Sequence, residues 1–233
     1  MLSSEAVKEG NERAGAFFDN WSSKPIEKMT QPRQATQRNR FEIVLRHLSI
    51  KNGDSILDVG GAHGDFLQFL LDYDIVPGSY VCVDMSRKLQ AVGRERFASA
   101  ERKLGIDISW VFGDGLTDRK CLEQLGKFDY AVCTSVFSVR THPLSMVKPL
   151  FEDAIDGLFQ ACKKMACISA HTIYLQNPSV EDTLLDPCFM FQTGKRLTER
   201  VLVDHSYMPH DALLILWKEP SEFRQDWDRE GGW

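Results

Sequence analysis

Apolar positions along this chain recur with two alternating periods. Short runs rich in Val, Ile, Cys and Ala at 55–59, 80–83, 106–112, 128–133 and 166–169 predict buried strands. Between them, apolar residues at helical spacing predict helices over 35–48, 65–71, 87–100 and 150–162, with a shorter one around 121–125. Ser86 stands where a cap would open the helix after the second strand, and Asn52, Gly53 and Asp54 form a turn into the first. Such alternation implies a parallel sheet covered by helices on both faces. The rhythm breaks near the end. Two strand-like segments, 197–206 with Val201, Leu202 and Val203, and 213–218, are separated by little more than Met208, Pro209, His210 and Asp211. A parallel return needs a crossover of about a dozen residues, so this pair must be antiparallel.

The flanks differ. The first twenty or so residues are polar and expected to be mobile until Phe17, Phe18 and Trp21; Pro25 and Pro32 interrupt the stretch leading to the first long helix. After Pro220 the chain is highly charged, with Trp227 and Trp233 in that tail. The expected division is a polar segment and lid over 1–34, one domain over 35–220, and a charged tail over 221–233.

Composition narrows the classes. A length of 233 residues suits one domain with a full core. The net charge of −5 argues against a nucleic-acid surface, although 24–51 is locally basic. The six cysteines lack metal-site or disulfide-scaffold spacing, and Cys82, Cys133 and Cys167 fall inside apolar runs. They read as buried thiols of a reducing, cytoplasmic compartment. No run approaches the roughly 18 apolar residues of a membrane helix, and the start lacks signal-peptide features.

Chemistry concentrates between Ser55 and Leu71. An apolar run ending in Asp58 and Val59 enters a cluster of Gly60, Gly61 and Gly64, and an apolar-periodic helix comes next. Small residues at a strand-to-helix turn let a ligand approach the backbone. Asp84 closes the second strand and Asp114 lies beyond the third. A nucleoside-bearing cofactor is the leading reading.

On these residues the chain resembles class I S-adenosylmethionine-dependent methyltransferases over nearly its whole length. The resemblance is carried by Asp58 to Gly64, by Asp84, by Val111 to Gly115 and by Phe128 to Cys133. More narrowly it is similar to bacterial methyltransferases of cell-surface sugar and small-molecule biosynthesis, on 37–41, 135–140, 186–191 and 205–218. The implied fold is α/β: a Rossmann-like three-layer sandwich whose mostly parallel seven-stranded sheet ends in an antiparallel hairpin. The implied activity is methyl transfer from S-adenosylmethionine, leaving S-adenosylhomocysteine, to a hydroxyl, carboxyl or amine of a small molecule.

The resemblance assigns roles. Gly60 and Gly61 let the backbone pass the methionine half, and Gly64 permits the turn into the helix. Ala62 replaces the family's usual glycine, tolerable only where positive φ is not required. Asp58 either braces the turn or sits near the cofactor amine. Asp84 is expected to accept from the ribose hydroxyls, Met85 to pack on the adenine, and Asp114 to accept from the adenine amino group. Gly113, Gly115 and Thr134 complete the walls. Each also has a plain structural reading: a surface Asp, a core Met, a bare turn at 113–115. Arg40 either pairs with the cofactor carboxylate from a basic lid or is a solvated helix arginine.

The cofactor arrives activated, so the protein supplies alignment and a place for the acceptor's proton. His171, just past the fifth strand, is the first candidate base, with loop ordering as its alternative; His142 is the second. Phe137, Arg140, Tyr174, His205 and His210 are expected to meet the acceptor, in a pocket built from 21–32, 142–147 and 174–190. No helical His-x-x-x-His pair points to a metal. The stretch 182–191 is expected to cover the pocket or to form a homodimer contact.

Three rival classes stand beside this reading. An RNA or protein methyltransferase is disfavoured by the absence of an Asn-Pro-Pro-Tyr-type segment where Thr134, Ser135, Val136 and Phe137 stand. A nicotinamide-dependent oxidoreductase shares the strand–turn–helix. A non-catalytic cofactor-binding partner protein would keep the fold without turnover.

Overall fold

The computed structural model describes residues 4–20, 26–28 and 31–220. Five strands, β1 (Ser55–Val59), β2 (Ser79–Asp84), β3 (Asp107–Phe112), β4 (Phe128–Phe137) and β5 (Cys162–His171), pair in parallel. β6 (Val201–Met208) and β7 (Asp211–Trp217) form the predicted hairpin. The order across the sheet is β3-β2-β1-β4-β5-β7-β6. β7 thus lies between its neighbours, antiparallel to both β5 and β6. Composition explains why β7 takes the inner place. Its Ala212 to Leu216 run is apolar and fully buried, whereas β6 carries Asp204, His205 and Ser206 and suits an edge.

Helices cover both faces. On one side α2 (Gln31–Leu48), α3 (Asp65–Asp72) and α4 (Arg87–Leu104) bury Phe41, Leu48, Phe66, Leu70 and Phe97 against the sheet. On the other, α5 (Arg119–Leu125), α6 (Leu144–Ala161) and α7 (Pro187–Lys195) bury Leu122, Phe151, Ile155, Leu158 and Met190. Ser86 caps α4 as its sequence position predicts, its hydroxyl accepting from the Leu89 amide.

Four features depart from the sequence reading. Within the segment expected to be mobile, Ser4–Asn20 forms a helix, α1, lying across the carboxyl ends of the strands. Its inward face carries Val7, Gly10, Asn11, Ala14 and Phe18, a helical spacing whose small and polar members conceal the apolar stripe. β4 runs past Cys133 to Phe137 through a register irregularity, with Ser135 at φ 65. α6 begins at Leu144, well before the predicted start. Finally, within 182–191 only Thr183 borders a cavity described below, while α7 packs through Gly194 against Val201 and Leu216, under the hairpin, and borders neither. Asp186 caps it by accepting from the Cys188 amide, with Pro187 in the first turn. Trp21, Pro25 and the tail with Trp227 and Trp233 lie outside the described residues.

Candidate functional site

A cavity of about 990 Å³, its open mouth included, lies at the carboxyl ends of β1, β2, β3 and β4. That is where a parallel sheet of this kind binds ligands. Asp58, Gly60, Gly61, Ala62, Asp84, Met85, Gly113, Asp114, Gly115 and Thr134 all border it, so residues spread over 77 positions of sequence converge. Gly64 stands just outside, opening α3.

Two devices shape the floor. Gly60 turns the chain at φ 74, and a side chain there would run into Val136 of β4. Ala62 departs from expectation, because its φ is 51. Its amide donates to Asp84 Oδ2 at 3.0 Å, and this bond holds the turn in a conformation that costs an alanine about 1 kcal/mol.

The carboxylates differ in environment. Asp84 Oδ1 accepts from the Ser86 amide at 2.7 Å. Burial raises its pKa, opposed by the Ser86 and Ala62 amides. Two backbone donors therefore fix the orientation of Asp84 and leave acceptor capacity on both oxygens. Asp58 is 2 % exposed and accepts from the Tyr80 hydroxyl. Burial pushes its carboxyl up to about 7, with the Tyr80 bond opposing and Asp84 and Asp65 adding to the rise. Asp114 accepts from the Leu116 and Thr117 amides, the Thr117 hydroxyl and Asn11 Nδ2 of α1. Its carboxylate is already committed to the turn and to the overlying helix. Among the described residues, the walls hold four Asp side chains, counting Asp65, and no Lys or Arg.

Several wall residues were missed by sequence reasoning: Phe18, Gln37, Ser135 and Val136. Gln37 had a usable signal, since it sits four residues before Phe41, on the same helix face. Ser135 and Val136 had none, because the irregularity in β4 re-aims them.

A second cavity, of about 510 Å³ with its opening, adjoins the first. Phe18, Met85, Leu116 and Val136 border both. His142 and Phe137 border the second. His142 Nδ1 lies 2.9 Å from the Thr141 hydroxyl, and the ring packs under Gly10 of α1. Burial lowers its pKa, opposed by Asp114, so the ring is neutral at pH 7.

Two expectations are corrected by this geometry. Arg40 does not reach the cavity. Its Nε and Nη2 donate to Asp211 Oδ2 at 2.9 and 2.7 Å, and the 0 % exposed Asp211 also accepts from the Tyr207 hydroxyl. A buried carboxylate at the start of β7 holds the guanidinium more firmly than an open cavity would. His171 borders neither cavity. Arg40 Nη2 lies 3.3 Å from its Nε2, and a guanidinium only donates, so Nε2 accepts and the ring proton belongs on Nδ1. Burial lowers the His171 pKa, Asp211 opposing and Arg40 and His210 reinforcing. The nitrogen needed for general base catalysis is therefore occupied.

The remaining candidates stand apart as well. His210 packs edge-on to His171, and His205 meets the Thr172 hydroxyl and the ring of the exposed Tyr174. The Arg140 amide donates to the Glu181 carbonyl, tying the loop after β4 to the 179–183 turn. None of these four borders either cavity. Among the described residues no cluster of His, Cys, Asp and Glu has the arrangement of a metal site, and no helix is long and apolar enough to cross a membrane.

No protein-family model matches the chain, and no curated protein does. Solved structures do. The magnesium protoporphyrin IX methyltransferase from Synechocystis PCC 6803, with bound SAM, superimposes with a TM-score of 0.59 at 11% identity. That match covers 94% of this chain and 99% of the other. DhpI in complex with SAH gives 0.63 at 10% identity, covering 92% and 99%. The small RNA methyltransferase HEN1 gives 0.62 at 17%, covering 83% of this chain and 26% of that one. At these identities the likeness is one of fold: this chain has the fold of the SAM-dependent methyltransferases.

Proposed function

We propose that the protein transfers a methyl group from S-adenosylmethionine to a small-molecule acceptor. One observation carries the reading: a cavity at the ends of β1 to β4 with four Asp side chains and, among the described residues, no Lys or Arg. Asp65 is paired with Arg96 at 2.6 Å and Asp58 is held partly protonated by burial, but walls with acidic side chains and no base still favour the sulfonium and ammonium cations of that cofactor over the pyrophosphate of a dinucleotide. The β5-β7-β6 edge further separates the sheet from the doubly wound 3-2-1-4-5-6 order of dinucleotide enzymes.

The residues fit the cofactor. The turn at Gly60 has no room for a side chain, and Asp84 is held by backbone amides with free acceptor capacity for a pair of ribose hydroxyls. Met85 and Leu89 would flank the adenine and Asp58 the amino-acid end, all three bordering the cavity. When bound, the cofactor supplies a methyl group already activated on a sulfonium. The chain's own contribution is alignment and exclusion of water. α1 serves as the lid: Asn11 is fastened to Asp114, and Asp19 accepts from the Ser86 hydroxyl at 2.6 Å. His142, on the wall of the second cavity, replaces His171 as the candidate to hold an acceptor proton. Four buried free thiols, Cys82, Cys133, Cys162 and Cys167, suit a reducing cytoplasmic setting.

Calorimetric titration tests the reading. S-adenosylhomocysteine should bind with unit stoichiometry and NAD should not. Asp84→Asn should weaken binding about ten- to hundred-fold, the worth of a lost charge-assisted hydrogen bond. Equal affinity of the Asp84→Asn protein would refute the ribose role, and NAD uptake would refute the cofactor.

A further inference from the structure

The second cavity shares Phe18, Met85, Leu116 and Val136 with the first, and its chemistry is different. The polar side chains in its wall are Asn11, Thr117, Thr141, His142 and Thr183. Among the described residues it holds no Asp, Glu, Lys or Arg, whereas its neighbour holds four carboxylates. The rest of the lining is apolar, and α1 roofs it through Ala14 and Phe18. From this juxtaposition we infer that the second cavity is the acceptor chamber, and that the acceptor is an uncharged, largely apolar small molecule bearing a hydroxyl. The inference rests on the methyl-transfer reading for its purpose, though not for the existence of the chamber.

Charge decides the class. An anionic acceptor such as a sugar nucleotide or a nucleic acid strand would lose its hydration in this chamber with no cation among the described lining residues to meet it. A neutral molecule loses apolar hydration, which is favourable, and its hydroxyl exchanges water for Thr183, Thr141 or the Asn11 carbonyl oxygen, the Thr117 hydroxyl and Asn11 Nδ2 being held by Asp114. Position agrees. An occupant here would lie against Val136 and Met85, which also border the cofactor cavity, so the two ligands would meet without overlapping. The chamber thus narrows the sequence expectation: it fits the small-molecule branch of the resemblance and not the sugar branch.

The test uses equilibrium dialysis of the full chain against 2-naphthol and, as its charged counterpart of the same ring system, 2-naphthoate. The expected result is one bound naphthol per chain, naphthoate weaker by about tenfold or more, and no displacement of naphthol by saturating S-adenosylhomocysteine. Ala14→Met, which projects a longer side chain into the chamber from α1, should weaken naphthol about tenfold. Equal binding of naphthoate, competition between naphthol and S-adenosylhomocysteine, or no naphthol binding to the unaltered protein would each overturn the inference. Naphthol retained with no uptake of S-adenosylhomocysteine would support the chamber while sinking the cofactor reading. The arms on the unaltered chain decide the matter even if the Met variant folds poorly.

Discussion

Asp58 should make the unliganded protein less stable as pH rises through the weakly acidic range. Its carboxyl is buried against Tyr80, Asp84, Asp65 and Cys82, and moves from 3.8 to about 7 on folding. The folded chain therefore holds a proton there that the unfolded chain has released between those two values. Protonation favours the folded state, so stability is unimpaired below about pH 4, falls as pH rises, and levels off above about 7. About three pH units at 1.36 kcal/mol each give a loss on the order of 4 kcal/mol. Asp58→Asn keeps the shape and an acceptor for the Tyr80 hydroxyl while removing the titration. The assay is urea unfolding of both proteins at several pH values from 4.5 to 8. With a slope near 3 kcal/mol per molar, the part of that loss falling between pH 4.5 and 8, about 3 kcal/mol, should give the Asn variant a gain of about 1 M in midpoint relative to the unaltered chain across the range. Other groups titrate in both proteins and cancel in the difference. A midpoint difference that stays constant with pH would show that Asp58 ionises freely in the fold and refute the reasoning.

Three further outcomes are expected. Ala62→Gly should relieve the strain at φ 51 but enlarge the entropy of the unfolded chain, so its net effect lies between zero and about 1 kcal/mol of stabilisation by thermal unfolding. Arg40→Leu should cost about 3–5 kcal/mol in urea unfolding, because Asp211 stays buried without its cation; adding Asp211→Leu should recover most of the loss. Gly10→Ala drives a methyl group into the His142 ring and should lift α1, seen as faster proteolytic cleavage within 4–20 with the 35–220 body intact.

Local pattern was enough to read most of the architecture. Buried parallel strands must be continuous apolar runs, and the Met208 to Asp211 link is too short for a crossover, so five parallel strands and a hairpin were legible. The residues that border the first cavity were legible for a related reason: a turn between strand and helix keeps its residues within a few positions of sequence, as Asp58 to Ala62 do. Tertiary structure decided everything that depends on distant partners. Arg40 and Asp211 are 171 positions apart, and only their burial together turns the arginine from the cavity and occupies His171. The inner place of β7, the re-aimed Ser135 and Val136, and the folding of α1 onto Asp114 and His142 likewise arise where separate elements meet. A side chain's local spacing sets which face it occupies, but the charge, room and hydrogen-bond partners on that face come from other parts of the chain, and these choose its role.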